Sequence, residues 1–517
     1  MKTAGVSIAL SLLAAALAAA SGGDVAVSRL RCEYLVNPLG IDVTEPRLSW
    51  VLDSDVRGQK QTAYRILVAG SAETLAANRG DLWDSGKVLS SRSVNVTYEG
   101  KPLKSEMRCW WKVQVWDRSG TPSAWSEPAT WTMGLLEESH WRAEWIGTPG
   151  QDIDRRAKNP PIPPCPLLRR SFRLEGRIES ATLYATALGC YEMRINGRRV
   201  GDRVLAPEWT DYNKRVQYQT YDVTALLGSG ENVVGAVLAD GWYLGRLGLV
   251  DIDPNFPRRG YYGIREKFNR EFVSQDGQIE GDTQSAYALA LHFGLLDESQ
   301  RPRAVARLVT ALERYDGRLS TGIQSTGRMM LELTRRDQTD RAYRLIESRR
   351  CPSWLYMIDQ GATTIWERWD GYVAGRGFQD PGMNSFNHYA LGAVGEWMVR
   401  TILGIAPDEQ RPGYEHIIIH PRPGGSLTRA KGSYDSVRGE ISVHWRFEQG
   451  GWLLDVTIPP NATATVHLPA RDIADVSESG APVAFAPGVR YVETTERSMV
   501  FLVESGTYKF AVANQSR

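Results

Sequence analysis

The hydrophobic period of this chain changes twice along its length, and nothing else in the sequence limits its architecture as much. Up to about residue 250, short runs alternate apolar and polar residues and end in turn residues. Residues 63–68 (AYRILV) form one such run, and 110–116 (WWKVQVW), closed by Asp117-Arg118-Ser119-Gly120, form another. A period of two marks half-buried strands. Spacings of three and four then take over and predict helices at 283–296, 302–315, 325–335, 339–349 and 387–403. Asp282 before the first, Gly317 after the second and residues 337–339 before the fourth read as end signals. The strand period returns at 416–420, 440–447, 452–458, 463–468 and 499–503. The order is therefore β, β, α, β. At about 150 residues per domain, 517 residues predict three to four domains.

The expected divisions are a leader at 1–22, a β-sandwich at 24–135, a second β region at 137–250, a helical unit at 258–405 and a C-terminal β-sandwich at 410–517. Lys2, the apolar run 4–17 and the small residues Ala18-Ala19-Ala20 have the layout of a secretory signal peptide. No later run reaches 18 apolar residues, so no membrane span is expected and the mature chain is placed in the periplasm or medium. Residues 159–164 (NPPIPP) read as a linker or rigid surface loop, and Asn196-Gly197 as a type I′ hairpin turn. The five cysteines, Cys32, Cys109, Cys165, Cys190 and Cys351, are scattered without metal-ligand spacing and read as free thiols. Lys and Arg total 61 against 60 Asp and Glu, a balance that leaves no basic surplus for a nucleic-acid backbone. Seventeen Trp outnumber 11 Phe, which suits either sugar stacking or sandwich cores.

Chemistry concentrates in the helical unit. GATTIWERWDG (361–371) places Glu367 between Trp366 and Trp369 after a small-residue turn, and 12 residues on MNSFNHY (383–389) carries His388. A carboxylate among apolar rings is a candidate for proton transfer, and flanking Trp faces can hold a sugar. Two plainer readings stand beside this one. Glu367 next to Arg368 is also the pattern of a surface ion pair, and His388 that of a hydrogen-bonded structural residue.

Taken together, GATTIWERWDG and MNSFNHYALGAVGEW closely resemble segments of the bacterial α-L-rhamnosidases, a family built around an (α/α)6 barrel. Further matches are Asp282-Thr283-Gln284 with 286–291, Leu319-Ser320-Thr321-Gly322, Pro352-Ser353-Trp354, Ile458-Pro459-Pro460-Asn461-Ala462-Thr463 and Gly241-Trp242-Tyr243-Leu244-Gly245. The resemblance covers essentially the whole mature chain. It implies a fibronectin type III-like sandwich, a jelly roll, the second half of the helical barrel and a C-terminal β-sandwich. It also implies an inverting glycoside hydrolase that removes terminal α-L-rhamnose from glycosides or polysaccharides without a cofactor or metal. In that likeness Glu367 is the base that activates water, and His388 contacts the bound sugar.

One departure is large. Between Leu249-Val250-Asp251 and Arg258-Arg259-Gly260 the family carries several hundred residues, including an acidic segment that supplies the general acid. No such segment exists here, so the jelly roll is expected to be incomplete and the barrel halved. Asp251, Asp253, Glu266, Asp276, Glu280 and Asp282 lie near the junction, and the sequence sets none of them across a sugar from Glu367. The competing expectation is a secreted carbohydrate-binding remnant that has lost catalysis. A halved barrel is also expected to expose apolar helix faces and to favour self-association.

Overall fold

The computed structural model describes residues 24–147, 164–244 and 264–513, apart from Pro381, Met383 and Gln449. The expected leader, the Pro-rich stretch 159–163 and the junction itself fall outside the described residues.

The first unit is a two-sheet sandwich. Ala26–Cys32, Arg47–Asp53 and Val96–Thr97 form one sheet. Trp83–Asp84, Ala63–Ala69, Arg108–Trp116 and Ala129–Thr132 form the other, in that order. The alternation in the sequence has the expected consequence: Trp111, Val113 and Val115 point inward from one strand, and Trp50 and Trp131 meet them. The Trp50 indole donates to Gln61 Oε1 at 2.9 Å, so this buried ring keeps its hydrogen bond.

Residues 164–244 form a thinner β unit. Arg198–Arg199, Cys190–Ile195, Gly230–Ala239 and Leu167–Leu174 make a four-stranded sheet, and Thr182–Ala185 pairs with Gln219–Asp222. Asn196 (φ +49°) and Gly197 (φ +78°) make the expected left-handed turn between the hairpin strands.

The helices are Ile264–Phe272, Gln284–His292, Arg301–Glu313, Thr326–Arg335, Thr339–Ile346 and Trp354–Asp359. Thr283, not Asp282, caps the second by accepting the Ala286 N–H at 3.1 Å. Asp282 instead binds the Tyr287 hydroxyl and, at 2.7 Å, Arg314. The expected helix at 387–403 begins only at Ala390 and changes winding twice. It runs from a 3₁₀ turn, Ala390–Ala393, through Val394–Trp397 to the wider π turns Met398–Leu403, and stops at Gly404 (φ +78°). The buried Trp445 indole donates to the Ile402 carbonyl at 2.6 Å where those wide turns end. Periodicity did not predict Trp354–Asp359, although Ser353 was a readable cap, accepting from the Tyr356 N–H at 3.1 Å.

Two sheets close the chain. Ile405–Pro407, His416–Ile419, Thr463–Leu468, Met499–Val503 and Val489–Thr494 form the five-stranded one. Arg429–Ser436, Gly439–Glu448, Gly451–Ile458, Gly506–Ala513, Val476–Glu478 and Ala481–Pro482 form the six-stranded one. One continuous core joins the helices to this sandwich, from Tyr287, Met329 and Trp397 through Ile405 and Ile417 to Trp445 and Phe510. Seven of the ten residues of Thr326–Arg335 are buried, so the apolar face of this helix is covered within the chain. Large apolar side chains stay exposed mainly at helix ends and in loops, among them Phe293, Tyr315 and Ile358.

The first and last sandwiches are bolted together. The Arg57 guanidinium forks onto the buried Glu478 carboxylate at 2.9 and 2.6 Å and lies 4.2 Å from the Tyr508 ring centroid. Burial pushes the Glu478 carboxyl up, but Arg57, the Ser479 hydroxyl and the Lys509 N–H outweigh it and hold the pKa below its ordinary value. Gln61 N–H to Asn461 Oδ1 at 2.8 Å and Ser505 Oγ to the Gln59 carbonyl at 2.8 Å complete the joint.

Candidate active site

The site is built where two loops run side by side. The Glu367 N–H donates to the Ser385 carbonyl at 2.8 Å, and the His388 N–H donates to the Ile365 carbonyl at 2.9 Å. The Thr364 hydroxyl binds the Phe386 carbonyl between them. These bonds put the Glu367 and His388 backbones on adjoining segments, although 20 residues of chain separate them. The Glu367 carboxylate is held in turn: its Oε2 accepts the Ser385 N–H at 2.9 Å. Both side chains are half-buried, so they are at once positioned and reachable.

Behind this pair the rings form a wall. Trp366 is only 4% exposed and meets Phe386 edge-to-face at 5.2 Å. Gly371 shows why the string ends in glycine. A Cβ there would sit 2.8 Å from Asn384 Oδ1 and 3.3 Å from the Trp366 ring, and Asn384 Nδ2 donates to the Gly371 carbonyl at 2.9 Å. Trp369 is half-buried; its indole donates to the Thr321 carbonyl at 2.8 Å, and its ring meets Trp354 at 5.1 Å. The Trp354 indole donates to the Leu391 carbonyl at 3.0 Å. Four separate motifs, around Thr321, Ser353-Trp354, 361–371 and 384–391, thus converge on one place. Asn384 and the Ser385 N–H were not singled out from sequence; the MNSFNHY string contained them, but main-chain donors carry no side-chain signature.

The surface ion-pair reading of Arg368 resolves to a different partner. Its guanidinium pairs with Asp370 at 3.1 and 3.2 Å and not with Glu367. His388 accepts the Ala390 N–H on Nδ1 at 3.3 Å, so the neutral ring carries its proton on Nε2, where it can donate to a hydroxyl. Two of the carboxylates near the junction are committed elsewhere. Asp276 binds the Ser274 hydroxyl and Arg307, and Asp282 binds the Tyr287 hydroxyl and Arg314. Those bonds, the hydroxyls first, hold both pKa values below the ordinary carboxylate range, the opposite of what a proton donor needs. Among the described residues no three His, Cys, Asp or Glu side chains come together to hold a metal, and no helix is long and apolar enough to cross a membrane.

The fold is a multidomain one: an immunoglobulin-like sandwich, a helical glycosidase segment and C-terminal sheets. Four family models match in chain order. They are the Rha78A-like N-terminal immunoglobulin domain at 27–137, the alpha-L-rhamnosidase N-terminal domain at 176–280, the bacterial alpha-L-rhamnosidase 6 hairpin glycosidase domain at 258–402 and the bacterial alpha-L-rhamnosidase C-terminal domain at 404–481. An alpha-L-rhamnosidase of Streptomyces avermitilis is 44% identical over 249 residues, which is 48% of this chain but 23% of that relative. One from Formosa agariphila is 21% identical over an 882-residue alignment that takes in 92% of this chain and 95% of the relative. An alignment of that length over a 517-residue chain leaves several hundred positions facing gaps here, consistent with an internal deletion. The solved Streptomyces avermitilis alpha-L-rhamnosidase complexed with L-rhamnose superposes with a TM-score of 0.81 at 22% identity, over 94% of this chain and 100% of that one, a likeness of fold. Along most of its length the chain is similar to bacterial α-L-rhamnosidases, and it spans under a quarter of the Streptomyces avermitilis relative.

Proposed function

We propose that this chain acts on terminal α-L-rhamnose in glycosides or polysaccharides, with Glu367 as the base that activates water and His388 Nε2–H donating to the sugar. The supporting observation is the reciprocal Glu367–Ser385 pairing, which fixes the carboxylate on the loop pair that also carries His388. An inverting reaction needs, in addition, an acid on the far side of the glycosidic oxygen, about 6.5–9.5 Å from the base. The acidic segment is absent, and Asp276 and Asp282 are tied to arginines, so turnover of natural rhamnosides is expected to be crippled by a factor on the order of 10² to 10⁴. That same observation favours a second reading, a rhamnoside-binding remnant without turnover. On this reading residues 1–22 serve as a secretory leader, and either activity lies outside the cytoplasm.

A leaving group that departs as a stable anion needs no proton. Slow hydrolysis of dinitrophenyl α-L-rhamnoside, with none measurable on a flavonoid rhamnoside, is therefore expected, and Glu367→Ala should abolish it. The first sugar released should be the β-anomer by NMR. Equal rates on both substrates would reveal an acid; activity surviving in Glu367→Ala would remove Glu367 from the chemistry. No turnover with intact rhamnoside binding would establish the second reading.

A further inference from the structure

The six-stranded sheet of the last sandwich has an outer face that the chemistry above does not use. Trp445, Leu454, Val456 and Phe510 point from it into the core, so the alternate residues of the same strands point outward. Register sets those outward residues in rows across the strands. Lys431, His444, Asp455 and Lys509 lie side by side in one row. Arg429, Arg446, Leu453 and Ala511 make the row on one side of it, and Ser433, Ser442, Thr457 and Thr507 the row on the other. Beside Ser479 and Gly480 the face sinks into a cleft of about 440 Å³, lined by Arg446, Asp455, Thr507 and Lys509 among others.

The charges on these rows do not cancel. Arg446 donates to Asp455 at 2.7 Å and to Glu448 at 2.6 Å, which occupies both carboxylates. The next acids, Asp435 and Glu440, lie beyond the hydroxyl row, and Asp435 is held by Arg29. Among the described residues Arg429, Lys431 and Lys509 have no ion-pair partner, and all three are exposed. Three uncompensated cations thus share one face of a chain that is balanced overall, at 61 basic against 60 acidic side chains.

The layout points to a ligand class. Lys431 and Lys509 stand three strand spacings apart, about 14 Å, and the hydroxyl row lies about 7 Å along the strands from them. A polymer laid across the strands therefore meets cations along one side and hydroxyls along the other. Uronic acid and sulfated sugar chains carry that pair of features, an anion and several hydroxyls, on one repeating unit. A nucleic-acid strand fits less well, because the three rows carry no Trp, Tyr or Phe on which a base could stack.

We propose that this face binds acidic polysaccharide, with Lys431 and Lys509 on the anionic groups and Ser442 and Thr507 on ring hydroxyls. The site shares no residue with the Glu367 loops, so it stands whether or not Glu367 is catalytic. Affinity electrophoresis of the full chain tests it, in gels holding polygalacturonate, dextran sulfate, or the neutral controls dextran and carboxyl-reduced polygalacturonate. At least one acidic polymer should retard the chain and both neutral ones should not; the polymer that retards it tells carboxylate from sulfate. Lys431→Gln combined with Lys509→Gln should raise the dissociation constant about tenfold, through the loss of charge-assisted bonds. Lys101→Gln combined with Lys104→Gln, an equal loss of charge from exposed positions on the first sandwich, should leave it unchanged. No retardation by either acidic polymer, equal retardation by a neutral one, or a constant unmoved in Lys431→Gln/Lys509→Gln overturns the inference. The same loss in both double variants overturns the location. Single-stranded DNA that retards the chain as strongly, and loses as much in Lys431→Gln/Lys509→Gln, overturns the choice of a carbohydrate.

Discussion

The β unit at 164–244 and the helices with the C-terminal sandwich at 264–513 flank the same junction, yet they are buried very differently. The β unit gathers a small core around Tyr191, Ile195 and Tyr221, with no tryptophan. Along its longest strand, Gly230–Ala239, the one fully covered side chain is polar: Asn232, bonded to Gly228, Gly230 and Asn196. Beyond the junction, Trp397, Trp445 and Trp452 are all fully buried in a core that crosses from helix to sheet. The contrast shows what each kind of element needs. A helix satisfies its own backbone and can lay its apolar stripe on any apolar surface, here the sheet that follows it. A strand needs both a neighbour to bond and a facing layer to cover it, and chain from elsewhere does not readily supply them.

Removing the ring that joins helix to sheet should test this most severely. Trp445→Ala deletes a buried indole and its bond to Ile402, and is expected to cost about 3–5 kcal/mol in urea unfolding. Helical and strand signals should be lost together; helices that survive while the sheet melts would break the claim of one core.

Acid should act on the same side of the junction. Burial, aided by nearby arginines, lowers the pKa of His416, His420 and His467, and takes His420 to about 3 where its ring stacks on His467 at 4.0 Å. The unfolded chain takes up the proton first, near pH 6.5. This stability is therefore complete above about pH 6.5 and is lost as pH falls from there towards 3, by up to about 1.4 kcal/mol per pH unit for one site. His420→Gln should flatten that slope in melts between pH 6.5 and 4. The 164–244 unit contains no histidine, so the same substitution should leave its transition unmoved.

The smallest effect belongs to the thin unit itself. Tyr191→Phe removes a hydroxyl placed 2.8 Å from Gln219 Oε1 and 3.1 Å from the Ala185 carbonyl, at a cost of about 1 kcal/mol. In calorimetry it should lower an early, separate transition and leave the later one alone. One merged transition shifted by the change would mean that the two sides unfold together.

Much of this was legible in the residues. Period two placed Ala63–Ala69, Arg108–Trp116 and Gly451–Ile458, and Asn196-Gly197 declared its turn, because these depend on local sterics and alternation. The string around Glu367 stood out for its tryptophans. Less legible were Arg429–Ser436 and Val489–Thr494, largely exposed outer strands with no apolar alternation to read. The altered winding of Met398–Leu403 was hidden for another reason, since its apolar spacing reads as an ordinary helix.

The sequence by itself determined the order of the units and singled out the strings 361–371 and 383–389, with Glu367 and His388, as candidates for chemistry. Only the tertiary structure decided that Asn384 and Ser385 hold the Glu367 loop and that the helices share their core with the last sandwich. The reason is range. Periodicity and turn chemistry act over a few residues, whereas these contacts join positions up to 70 or more residues apart, such as Tyr343 with the Arg422 carbonyl at 2.7 Å, and follow from packing alone.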